Sequence, residues 1–134
     1  MDMPDMPREV AEAFEGIPLA ARAPMLAARG LIFEVAAADA RIGPLTEMLR
    51  WGEPSYRPKR SGTTVRLGWS PKRPGQWGVF VSCQTTLVEG FRARHGAAFR
   101  YDGNRGLVFA TSSPPPSDAL AACLADALTY KLRG

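Results

Sequence analysis

Leu49-Arg50-Trp51-Gly52-Glu53-Pro54-Ser55-Tyr56 is the stretch on which the fold turns. Upstream, apolar residues recur at helical spacing; downstream, they alternate as in strands. Leu45, Met48 and Leu49 fall at i, i+3 and i+4, which predicts a third helix of about two turns, with Gly52 as its C-terminal cap. Glu53–Lys59 then reads as an extended segment. Pro54 and Pro58 exclude a helix there and argue against a central strand, because each removes a backbone donor.

Working back from this point, Val10, Ala13 and Phe14 mark a short helix between Pro7 and Gly16, with Glu9, Glu12 and Glu15 opposite. A longer helix is expected over Pro18–Ala38, with either a kink at Pro24 or a start nearer Arg22. Residues 1–6 are expected to fray. Their acidic, Pro-broken character is not that of a secretion signal, and a cytoplasmic location is expected.

Working forward, Thr63–Trp69 and Trp77–Cys83 alternate as two strands joined by the Pro/Gly loop Ser70–Gly75. Val65, Leu67, Trp77, Val79 and Cys83 take the core face, with Phe80 on the other. Thr85 or Thr86 is placed to cap a helix ending at Gly96, Thr86 with Glu89 making a capping box. Ala98–Tyr101 and Arg105–Ala110 flank the turn Asp102-Gly103-Asn104. Three prolines then lead into a last helix, Asp118–Leu132, with Ser117 as its cap. The result is one domain over residues 1–134: an α+β, two-layer fold with a mainly antiparallel sheet of about four strands and helices packed on one face.

Composition bounds the chemistry. No apolar run spans a bilayer, so no membrane partner is expected. Cys83 and Cys123, in apolar surroundings, read as buried free thiols. One histidine, His95, and no C-x-x-C leave no basis for a metal site, and no cofactor is implied. His95, at the end of a charged helix, is expected to face solvent. No nucleophile–base pair or acid–base carboxylate pair can be placed, so no catalytic residue is assigned.

Charge is uneven. Residues 1–52 carry 5 basic and 8 acidic side chains, whereas residues 53–105 carry 10 and 3. The basic middle suits an anion. Arg57, Lys59, Arg60, Lys72 and Arg73, the basic 57–73 cluster, could meet nucleic acid electrostatically, or simply be solvated. Trp51 and Tyr56 could stack on a ligand with Glu53 between them as acceptor, or bury themselves at the helix–sheet seam. Arg66 and Arg105, on strands, could clamp a carboxylate or phosphate beside the Asn104 turn, or pair with surface acids. Gln84, Thr85 and Thr86 open a helix whose backbone donors could hold an anion, or merely cap it. A binding module for a small anionic ligand or a protein partner is therefore the first reading. Exposed apolar surface around Phe80 would suggest a homodimer.

Leu49–Tyr56, Thr64-Val65-Arg66-Leu67-Gly68-Trp69, Cys83-Gln84-Thr85-Thr86-Leu87-Val88, Gly103-Asn104-Arg105 and Leu128-Thr129-Tyr130 together resemble the YdhG-like family, domain of unknown function 1801, over about residues 23–131. The resemblance implies a small bacterial cytosolic α+β domain with no established catalytic activity. A relative described as a frataxin-like iron chaperone implies iron delivery as a further alternative. That role calls for exposed carboxylates, which lie mostly in the first helix here.

Overall fold

The computed structural model describes residues 4–132. Four α-helices and six strands follow in the order α1 (Arg8–Glu15), α2 (Leu19–Ala38), β1 (Leu45–Arg50), β2 (Glu53–Pro58), β3 (Val65–Trp69), β4 (Gln76–Phe80), α3 (Leu87–His95), β5 (Arg100–Asp102), β6 (Gly106–Ala110) and α4 (Ser117–Leu128). The fold is α+β, with a single antiparallel sheet in the order β1-β2-β3-β4-β6-β5. It has six strands where about four were expected.

The two extra strands come from the opening stretch. Leu45–Arg50 is not a helix but the edge strand β1, paired with β2 from Leu45↔Pro58 to Arg50↔Glu53. Trp51 and Gly52 close the hairpin with φ of 53° and 77°. Two consecutive left-handed residues make a type I′ turn, whose twist matches that of the strands. Gly52, expected to cap a helix, instead sits in the turn between two strands.

The prolines of β2 are tolerated for a geometric reason. In a two-residue hairpin the flanking pair, Arg50 with Glu53, is hydrogen-bonded, and pairs alternate from there. Leu49–Pro54 and Leu45–Pro58 are then non-hydrogen-bonded pairs, with the proline nitrogens turned towards β3. Pairing with β3 is confined to Ser55↔Arg66 and Tyr56↔Val65, between the two prolines. An interior strand thus accommodates residues that normally mark an edge.

One sheet face carries Tyr56, Val65, Leu67, Trp77, Val79, Leu107 and Phe109 into a core shared with the helices. Val10 and Phe14 anchor α1, and Ala21, Met25, Ala28 and Ile32 anchor α2. Pro24 lies within α2, which starts at Leu19 rather than nearer Arg22. Leu120, Cys123, Leu124 and Leu128 anchor α4. That helix ends at Leu128, and Tyr130–Leu132 continues as a 3₁₀ turn.

Several local expectations are corrected. Ser117 is inside α4, not its cap. Of the two candidate caps of α3, the Thr85 hydroxyl accepts the Leu87 N–H at 3.4 Å, whereas Thr86 makes no side-chain cap and no capping box with Glu89 forms. His95 is half-buried, its ring set edge-on to Phe99 at 5.5 Å, rather than exposed. At the start, the Pro4 carbonyl accepts a 2.8 Å bond from Arg29, and Met6 packs on the core. The remainder of the segment read as frayed, residues 1–3, lies outside the described residues. No described helix is long and apolar enough to cross a membrane.

A candidate anion cleft on the open sheet face

Strand alternation sends Arg66 and Gly68, Gly78 and Phe80, and Gly106 to the sheet face opposite the core. Register sets Gly68 against Gly78, and Phe80 against Gly106. The Phe80 ring therefore lies across three glycines on three neighbouring strands. A methyl group on Gly68, Gly78 or Gly106 would enter the space that ring occupies. Glycine here permits a flat aromatic ring to rest directly on backbone.

Cations collect around this ring. The Arg66 guanidinium carbon lies 5.9 Å from the Phe80 centroid, and that of Arg105 lies 5.7 Å away. Arg66 is also stacked on the Trp51 indole at 4.8 Å. Glu53, whose carboxylate overlies Gly68, accepts a single 3.3 Å hydrogen bond from Arg66 Nη1. Burial pushes the Glu53 carboxyl above its ordinary range, while Arg66 and Arg105 pull it back. Burial lowers Arg66, and Glu53 opposes that.

A cleft of ≈ 770 Å³ opens here, with Arg50, Trp51, Glu53, Arg66, Gln84 and Arg105 in its wall. A second, of ≈ 410 Å³, adjoins it through Glu53 and Arg105 and reaches Lys72, Arg73 and Phe80. Three guanidinium groups thus face one carboxylate in the larger cleft. Among the described residues, neither Arg50 nor Arg105 has a side-chain hydrogen bond or ion pair, and the Gln84 amide is likewise uncommitted. The larger volume is within the ordinary range of small-ligand sites, about 300–1,000 Å³.

Of the residues singled out from sequence, Trp51, Glu53, Arg66, Gln84 and Arg105 come together. Arg105 does so from the turn before β6 rather than from a strand; its N–H bonds to the Asp102 carbonyl at 2.9 Å. Tyr56 does not join them. It lies on the opposite face, fully buried, with Phe33 edge-on at 5.7 Å. Tyr56 is three positions on from Glu53, and an odd step along a strand changes face. Asn104 stays in the exposed β5–β6 turn, outside the cleft wall. Thr85 is held away by its own turn, its hydroxyl donating to the Ser82 carbonyl at 2.8 Å.

The helix-opening donors are also spoken for. Gln84 N–H bonds to Ser82 Oγ, Thr85 N–H to the Ser82 carbonyl, and Thr86 N–H to the Tyr130 hydroxyl. Side chains rather than an N-terminal amide cluster therefore define the cleft. Cys83, expected in the core, follows the end of β4 and is exposed in the cleft wall; Cys123 is buried and free as expected. Burial, with Asp126 second, pushes the Cys123 thiol up to about 12.

The basic run of residues 57–73 is divided. Arg57, Lys59 and Arg60 lie at the β2 end beside the start of β3, and Lys72 and Arg73 lie beyond its finish. About 16 Å of strand separates them. Phe80, around which an exposed apolar face would have suggested a homodimer, is half-buried, with the Arg66 and Arg105 guanidiniums close to its ring. The residues present do not fit an iron site: among those described, no three His, Cys, Asp or Glu side chains gather, and the cleft presents cations.

Sequence reasoning missed Arg50 and the glycine floor. Arg50 was assigned to a helix. The glycines were visible at alternate positions of expected strands, but their convergence depends on cross-strand register. No protein-family model, curated protein or solved structure matches this chain.

Proposed function

We propose that the protein is a non-catalytic binding module whose open-face cleft takes a small anionic ligand. The observation that carries this reading is the pair of uncommitted guanidinium groups, Arg50 and Arg105, set with Arg66 around one hollow containing a single carboxylate. Planar guanidinium forks match carboxylate and phosphate oxygens; Arg66 is partly buried, and Arg50 and Arg105 are exposed to an incoming anion. The YdhG-like resemblance and a bacterial cytosolic setting belong to the same proposal. Its Trp51–Tyr56 motif supplies both the hairpin turn and Glu53.

Isothermal titration with inorganic phosphate, sulfate and citrate tests the reading. Binding of at least one is expected, and Arg105→Ala should weaken it by about tenfold or more, the size of a lost charge-assisted bond. A null result with all three, together with no rise in melting temperature, would sink it. Nucleic-acid binding through the divided 57–73 run would instead show a steep salt dependence and a response to Lys72→Ala or Arg60→Ala.

Glu53 makes a second test. Its carboxyl titrates above the ordinary range, so the folded state holds that proton more tightly than the unfolded chain does. Its contribution to stability is thus full below the unfolded carboxylate pKa of about 4.3 and is lost as pH rises through the raised value. Above that value the carboxylate also competes for Arg66. Glu53→Gln is expected to tighten phosphate binding severalfold at neutral pH. The wild type should approach the variant as pH falls through the Glu53 titration, once phosphate's own ionisation is corrected with sulfate. Equal affinities at pH 7 would mean that Glu53 does not compete.

A further inference from the structure

Trp51 carries more information than an anion site requires. It is 83% exposed, the largest exposure of any described large hydrophobic residue. It also occupies a left-handed backbone position, φ 53°, the only such non-glycine among the described residues. The first central position of a type I′ turn favours Asn, Asp or Gly, and a bulky side chain there is strained. The indole recovers little from the core: its ring meets the Arg66 guanidinium, 4.8 Å from the centroid. Strained backbone clusters at ligand-binding and active sites, so a strained, solvent-facing aromatic directs attention to a ligand.

The cleft wall supplies the rest of the description. Beside Trp51 and the arginines it is lined by Thr63, Thr64, Ser82 and Gln84, all with polar side chains. These can donate to and accept from the polar edge of a ring. At ≈ 770 Å³ the cleft is several times larger than a bare phosphate or sulfate needs. Arg66 backs the indole with positive charge while pointing into the same hollow, so one ligand could stack on Trp51 and present its anionic group to the guanidiniums.

We propose that the ligand is an anion carried on a flat heteroaromatic ring, with Trp51 as the plate on which that ring stacks and Arg50, Arg66 and Arg105 as the anion's partners. A nucleoside monophosphate is the simplest carrier of both features, and an aromatic carboxylate is the other source of the same chemistry. The proposal rests on the anion-cleft reading and narrows it.

The test titrates the full chain with five probes: a purine nucleoside monophosphate, nicotinate, ribose 5-phosphate, adenosine and inorganic phosphate. Affinity and tryptophan fluorescence are both followed. At least one of the two aromatic anions is expected to bind about tenfold tighter than ribose 5-phosphate and to quench fluorescence. Which of the two does so identifies the source. In Trp51→Asn that advantage should vanish and the quenching with it, so that the aromatic anions bind the variant no more tightly than ribose 5-phosphate does. The variant should also melt at a higher temperature, because Asn tolerates the left-handed turn; lost stacking then cannot be ascribed to unfolding. Equal binding of ribose 5-phosphate and the aromatic anions, or full affinity in Trp51→Asn, overturns this proposal and leaves the anion cleft intact. Failure of every anion, adenosine binding or not, overturns the anion reading itself.

Discussion

Glu47→Ala is expected to lower the free energy of unfolding by about 3–5 kcal/mol, the cost of stranding one member of a buried ion pair. Arg29 of α2 and Glu47 of β1 have side chains only 7% and 5% exposed. The pair is two-pronged: Arg29 Nε donates to Glu47 Oε2 at 2.6 Å and Nη2 to Oε1 at 2.9 Å. Arg29 also donates to the Pro4 carbonyl and lies over the Phe33 ring at 5.0 Å. The bond to Glu47 raises the Arg29 pKa, against a burial that would lower it. Deleting Glu47 removes the largest of the effects that oppose burial, and a guanidinium cannot escape by losing its proton. Tyr56, buried beside the pair, is held far above its usual phenol range by burial and by Glu47. Urea denaturation checks the size of the effect. The apolar double variant Arg29→Met/Glu47→Leu should recover most of the loss, since well-packed hydrophobic replacements of buried pairs are often neutral. A loss below about 1 kcal/mol in Glu47→Ala would mean that water reaches Arg29 and solvates it.

Gly62→Ala is the second large effect, with an expected loss of about 3 kcal/mol and a fall in Tm of roughly 10 °C. Ser61-Gly62-Thr63 is stapled to the end of α4. Ser61 Oγ donates to the Leu128 carbonyl at 2.6 Å, Thr63 N–H to the Ala127 carbonyl at 3.0 Å, and Lys131 N–H to the Ser61 carbonyl at 2.9 Å. An added methyl group at Gly62 would collide with the Ala127 carbonyl oxygen and the Leu128 carbonyl group. Those atoms are backbone and cannot rotate aside, so the staple must open or α4 must lift. Gly75→Ala is the matched control. A methyl there meets nothing within 4 Å, and it should leave Tm almost unchanged. Because Thr63 and Thr64 form part of the cleft wall, Gly62→Ala should also weaken ligand binding, which Gly75→Ala should not.

Much of this architecture was legible along the chain because its signals are local. Helical spacing located α1, α2 and the body of α4, alternation located β3 and β4, and the Asp102-Gly103-Asn104 turn located β6, each to within a few residues. The same alternation put Arg66 on the face away from the core, and the anion reading brought Trp51, Glu53, Gln84 and Arg105 to it. The β1 reading failed for an identifiable reason. Leu45, Met48 and Leu49 satisfy a helical period, and Glu47 broke the apolar alternation that would have marked a strand. Glu47 can face the core only because Arg29, eighteen residues earlier, neutralises it there. From that error followed the loss of Arg50 from the site.

What the sequence determined by itself is therefore the class of fold, the strands at its centre and the residue types available to bind an anion. All three follow from periodicity and composition within a short window. The tertiary structure decided which of those residues meet. Trp51 faces solvent while Tyr56 is buried, three glycines from three strands form a floor for Phe80, and the basic run divides about the length of β3. Each of these depends on pairing between distant segments, and cross-strand register is set by burial of the whole sheet against its helices rather than by neighbours along the chain.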